Sequence, residues 1–124
     1  MDLEGGVLRT LEVQALGAVL AGGDLVVHVA GELRDYSAST GDLRYVRPLP
    51  DVPGLKLDDA ARGVAVYTLD GVVHLLRLST GADATVPGAT TAELTDAGLF
   101  YAYRGEKPWP GRIRFVPFDE LPFR

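Results

Sequence analysis

"YTLDGVVHLLRLSTGADATV", residues 67–86, sets two turn signals about ten residues apart around a run that is apolar on both of its faces. Asp70-Gly71 is a pair favoured in two-residue hairpins, because both positions tolerate positive φ. Ser79-Thr80-Gly81 supplies hydroxyls for local hydrogen bonds and a glycine for a left-handed position. An antiparallel sheet with one wet face alternates apolar and polar residues. Here the stretches Val64 to Leu69 and Val72 to Leu76 send apolar side chains to both faces, broken mainly by Thr68 and His74. A sheet of such strands needs cover on both sides.

The same pattern occurs again. Shifting the chain by 40 positions places Ala21, Gly23, Val26, Gly31, Ser39, Thr40, Gly41 and Val46 on Ala61, Gly63, Val66, Gly71, Ser79, Thr80, Gly81 and Val86. Glycines marking both turns in both copies are what a repeated hairpin requires. A looser third copy follows, "TDAGLFYAY" at 95–103 echoing "AARGVAVYT" at 60–68 with a spacing of 35.

Within the clearest copy, "LKL" at 55–57 precedes a turn expected at Asp58-Asp59 and Gly63. "VAVYTL" at 64–69, "VVHLLRL" at 72–78 and the short "ATV" at 84–86 complete a four-stranded meander. In the third copy, strands are expected near Thr90 to Leu94, Leu99 to Tyr103 and Arg112 to Phe118. Sheets of four strands stacked radially, each between two neighbours, supply the two-sided cover, and about 40 residues is the length of one such blade. The fold expected is all-β: four-stranded antiparallel meander blades of propeller type, about three of them, as a partial propeller. The blades fall at 14–47, 54–87 and 89–118 of a single segment, with 7–13 as a clasp or outer strand.

"DDAARGVAVYTLDGVVHLLRLSTGADATV" resembles the repeat of TolB-like and WD-repeat-like β-propellers, over about residues 15–118. The Trp-Asp dipeptide of true WD repeats is absent, and "DDAARG" stands where TolB-like repeats carry "SPDG". The resemblance implies a portion of a propeller, its C-terminal part. Closed propellers typically need 4 to 8 blades. Three blades therefore leave two apolar terminal faces, and a second copy could close a ring of six through a homodimer in which 7–13 pairs beside 112–118.

Composition limits the partners. The chain has 124 residues, 47% hydrophobic, which suits one folded domain. Seventeen acids scattered among twelve bases give a net charge of -5, with no basic stripe to neutralise a phosphate backbone. Nucleic acid is not an expected partner. Arginine outnumbers lysine ten to two and asparagine is absent, a bias of a GC-rich genome. Without cysteine there is no disulfide, thiolate site or cysteine nucleophile. The apolar stretch Ala15 to Ala21 falls far short of the roughly 20 residues of a membrane span, and Asp2 and Glu4 do not suit a signal peptide. The expectation is a soluble, untargeted, cytoplasmic chain with no membrane partner.

No catalytic constellation emerges. His28 and His74 are not superposed by the repeat and read as sheet histidines rather than metal ligands or bases. Ser37, Ser39 and Ser79 form no nucleophile elbow, and the last two belong to turns. Asp58-Asp59 and Asp119-Glu120 lack a calcium-loop pattern, and no glycine-rich phosphate loop occurs. No cofactor or metal is expected. One segment stands out: "YRGEKPWPGR" at 103–112 replaces the tight turn with a long loop bearing the only tryptophan, and Arg104, Lys107, Trp109 and Arg112 are its candidate contacts.

The function expected is a non-catalytic scaffold for protein or ligand binding. TolB-like blades also resemble the accessory propeller of prolyl-oligopeptidase-like hydrolases, and a remnant of a longer propeller without independent function is the remaining alternative.

Overall fold

The computed structural model describes residues 14–103 and 112–123. They form three antiparallel meanders in succession. Sheet 1 comprises β1 (Gly17–Ala21), β2 (Asp24–Val29), β3 (Glu32–Ser37) and β4 (Leu43–Pro48). Sheet 2 comprises β5 (Leu55–Ala61), β6 (Val64–Leu69), β7 (Val72–Arg77) and β8 (Asp83–Val86). Sheet 3 comprises β9 (Ala89–Leu94), β10 (Gly98–Tyr103) and β11 (Arg112–Pro117), followed by a 3₁₀ turn over Phe118–Glu120. Strands pair in sequence order and no sheet closes on itself.

The 40-residue repeat holds at the level of single hydrogen bonds. Gly41 donates to the Ser37 carbonyl and Gly81 to the Arg77 carbonyl, both at 2.8 Å. Ala38 donates to Gly23 (2.9 Å) and Leu78 to Gly63 (2.8 Å). Thr40 and Thr80 each accept the amide two residues on at 3.2 Å. Gly41 and Gly81 have φ of 80° and 81°, where a side chain would be strained. Asp70 and Gly71, at φ of 51° and 79°, make the hairpin that their sequence predicts.

Asp58 and Asp59 do not form a turn. Both lie inside β5, where the register shifts between Leu57 and Asp59, and the hairpin is made by Arg62-Gly63. Their carboxylates take over the hydrogen bonding of this bulge: Asp58 accepts from the Thr68 hydroxyl (2.5 Å), and Asp59 accepts the Ala60 amide (2.9 Å) and the Leu94 amide of sheet 3 (2.8 Å). A pair of acids reads as a solvated turn in sequence; here it ties one sheet to the next.

Alternation decides what each face meets. Val64 and Val66 point toward sheet 3 and join Val73, Leu75, Ala92, Leu94 and Leu99 in one core. Ala65 and Tyr67, one step along, point toward sheet 1 and join Val26, Leu33, Leu55, Leu57, Leu76 and Leu78 in another. Sheet 2 is thus covered on both faces, as its strands require. The first strands adjoin in order, β1 against β5 and β5 against β9. Arg47 reinforces the first seam by donating Nε–H to the Leu78 carbonyl at 2.6 Å.

The third copy sits one residue away from the expected alignment. Thr95 and Gly98 exchange backbone hydrogen bonds (2.8 and 3.2 Å), as Ala61 and Val64 pair across Arg62-Gly63. Gly98 therefore matches Val64, and the spacing is 34 rather than 35. Aligning Gly98 with Gly63 would have exchanged the two faces of β10, because side chains alternate with period two. Leu99 and Tyr101 take the places of Ala65 and Tyr67 and pack back on sheet 2. Phe100 takes the place of Val66 and points away from it.

Candidate functional site

The face of sheet 3 that carries Phe100 is the one that, in sheets 1 and 2, receives the following sheet. In those sheets it is closed: Val26, Val64, Val66 and Leu75 are fully buried. In sheet 3 it is open, with Phe100 43%, Phe115 45% and Ile113 76% exposed. Cross-strand register places Phe115 opposite Phe100 and Ile113 opposite Ala102. The two phenyl rings pack tilted by 46° with centroids 4.7 Å apart, a favourable aromatic geometry. Gly98 makes room for this pair. A Cβ there would lie 2.2 Å from the Val116 carbonyl oxygen and 2.8 Å from the Phe115 ring. A groove of about 260 Å³ runs past Thr91, Glu93, Phe100 and Ile113.

The opposite end of the stack differs. On the outward face of sheet 1, Val27, Val29 and Tyr36 form a buried cluster, while Leu20, Leu43 and Val46 are exposed around it. Of the two apolar ends expected, one is open across its width and the other only at its rim.

The contact loop is addressed at one residue. Arg112 is exposed at the start of β11, paired with Tyr103. Arg104, Lys107 and Trp109 lie outside the described residues, as does the clasp strand at 7–13.

His28 is buried, and burial lowers its pKa against an opposing pull from Asp51. His74 is not isolated, although no local motif marks it. Its ring stacks on Tyr67 with centroids 4.7 Å apart, and Nδ1 lies 3.3 Å from Asp83 Oδ1. Tyr67 donates its hydroxyl to Asp83 Oδ2 at 2.7 Å. Burial first, then the Asp83 hydrogen bond and charge, raise the Tyr67 pKa. The cross-strand register of Tyr67 and His74 was the signal available in the sequence. Through these contacts the cluster fixes β8 onto β6 and β7, with the raised pKa keeping Tyr67 in its protonated form.

Sheet 1 buries a second polar feature. Asp35 is 1% exposed and its Oδ1 has no hydrogen-bond partner. Burial, followed by the hydrogen bond and charge of Asp24, pushes its pKa up to about 7, opposed by Arg44. Asp24 itself pairs with Arg44. Ser37 and Ser39 bond to each other at 3.1 Å within their turn, and Asp119 and Glu120 are exposed in the 3₁₀ turn. Among the described residues no group of three or more His, Cys, Asp or Glu is placed to hold a metal ion, and no helix is long and apolar enough to cross a membrane.

The geometry therefore presents stacked sheets, one open apolar face and no assembled reaction centre among the described residues. Comparison with known proteins finds no matching family model, no matching curated protein and no matching solved structure.

Proposed function

We propose that this chain is a non-catalytic scaffold of β-propeller type that works through association, and that its binding surface is the open face of sheet 3. The observation that carries this reading is the register equivalence of Phe100 with Val66. The same face is covered by a following sheet twice in succession, and the third time it carries larger, partly exposed apolar groups with no further sheet on it among the described residues. An apolar face of this kind marks an interaction site.

The occupant proposed is a second copy. Its sheet 1 offers Leu20, Leu43 and Val46 at the rim of the face that points away from its own sheet 2, around the buried Val27, Val29 and Tyr36. A two-fold pair in which each sheet 3 meets the partner's sheet 1 makes a closed ring of six sheets, with both contacts equivalent. Light scattering on the purified chain tests this. A dimer that survives dilution to micromolar concentration supports the reading; a stable monomer over the same range overturns it.

A further inference from the structure

The sheet 2–sheet 3 seam ends in a cavity of about 450 Å³, lined by Arg62, Arg77, Ser79, Phe118, Asp119 and Phe123 among others. Its size falls within the roughly 300–1,000 Å³ typical of small-ligand sites. The Arg62 guanidinium lies over the Phe118 ring at 4.3 Å and that of Arg77 over Phe123 at 4.6 Å. Leu121, between those phenylalanines, is buried in the core and anchors the segment that carries both rings.

Stacking on a ring occupies one face of a guanidinium and leaves its in-plane N–H groups directed sideways. Arg62 spends one of these, donating Nη1–H to the Asp96 carbonyl at 3.1 Å. Among the described residues neither arginine makes an ion pair, and Asp119 lies beyond pairing distance of both. Arg62 is also held at φ 48°, in a hairpin position that glycine, asparagine and aspartate occupy at lower cost. Local turn chemistry does not account for arginine there.

We propose that this cavity binds a small organic anion, a carboxylate with an apolar body, through Arg62 and Arg77. The planar donor edges of guanidinium match a carboxylate in two-point contact. The Ser79 hydroxyl is a further donor in the lining, and the two phenyl rings with Leu121 supply apolar contact. Among the described lining residues, two cations and the carboxylate of Asp119 leave one positive charge to balance, so a monoanion suits the site better than a dianion. This site is separate from the open face of sheet 3, and it stands or falls independently of self-association.

The test titrates the full chain at low salt with benzoate, acetate and inorganic phosphate while following the arginine Nε–Hε signals by NMR. Benzoate is expected to give saturable shifts at Arg62 and Arg77 and to bind more tightly than acetate or phosphate. Arg77→Gln should weaken benzoate binding at least about tenfold, whereas Lys56→Gln, on an exposed strand position, should leave it unchanged. Thermal unfolding of Arg77→Gln separates loss of the ligand contact from loosening of the 118–123 segment, and the signals of the unsubstituted protein report binding directly. Shifts that do not saturate, or that are as large at exposed Arg44, overturn the site. Phosphate binding more tightly than benzoate overturns the monoanion assignment.

Discussion

Val66 and Phe100 occupy the same place in two consecutive sheets, yet Val66 is wholly buried and Phe100 is 43% exposed. Phenylalanine is the larger apolar group, so residue type does not explain the difference. What differs is whether, among the described residues, another sheet packs on that face. Sheet 2 gains its stability from two neighbours, and sheet 3 receives cover on one face and presents the other. The comparison separates residues that hold the stack together from residues available to extend it.

The sharpest way to test this separation is to remove a side chain from the covered face. Leu75 has no exposed surface and belongs to the core between sheets 2 and 3. Leu75→Ala should cost about 2–5 kcal/mol through lost burial and a residual cavity, read as a lower denaturant midpoint. A change below about 1 kcal/mol would mean that this seam is not packed as described.

Two glycines come next. Gly98→Ala drives a Cβ to 2.2 Å from the Val116 carbonyl oxygen, and relieving that contact should cost about 1–3 kcal/mol. The methyl group also displaces the Phe115 ring, so the near-ultraviolet circular dichroism of the phenylalanines should change with it. Gly81→Val at φ 81° should cost about 1–3 kcal/mol by forcing a β-branched residue into the left-handed region. An unchanged unfolding midpoint would contradict that turn geometry.

Asp35 and Leu75 are equivalent under the 40-residue repeat, and both are fully buried. One is a carboxyl, so this repeat position carries a pH dependence in sheet 1 that it lacks in sheet 2. The folded-state pKa of about 7 stands above the ordinary 3.8. Below about pH 4 both folded and unfolded states hold the proton, and the contribution is complete. Between there and pH 7 the unfolded chain ionises first, unfolding releases a proton, and stability falls as pH rises. Asp35→Asn should remove this slope, leaving the chain more stable than the parent at pH 8. Urea midpoints of both proteins from pH 4 to 8 decide it, because the difference between them cancels the opposite contribution of His28, whose pKa burial lowers; a parent that gains stability relative to Asp35→Asn as pH rises would be of the wrong sign.

The turns and strand centres were legible because their chemistry is local. Asp70-Gly71 and Ser79-Thr80-Gly81 specify positive φ by residue type, and β6 runs from Val64 to Leu69 as its apolar run indicates. The Asp58-Asp59 bulge was not legible, since the Leu94 amide that Asp59 satisfies lies 35 residues away. The register of the third copy was hidden for a related reason: two-residue hairpins do not need their glycine at one fixed position, so matching Gly98 with Gly63 misplaced every side chain of β10. The arginine cavity depends on residues 62, 77, 118 and 123, which only the packing of the terminal segment against sheet 2 brings together. The His74–Asp83 contact likewise needs the β7–β8 pairing before its two partners meet.

The smallest effect on stability belongs to the open face, and it is the most telling for function. Ile113 is 76% exposed and contributes little to the fold of a single chain. Ile113→Glu should change the unfolding free energy by no more than about 1 kcal/mol, the span of strand propensity. The same substitution sets a carboxylate in the middle of the proposed contact, where burying an unpaired charge is costly. Light scattering should then report a monomer at concentrations where the parent is a dimer. A midpoint lowered as far as that of Leu75→Ala would show that the face is already covered within one chain, and a dimer that persists would place the association elsewhere on the surface.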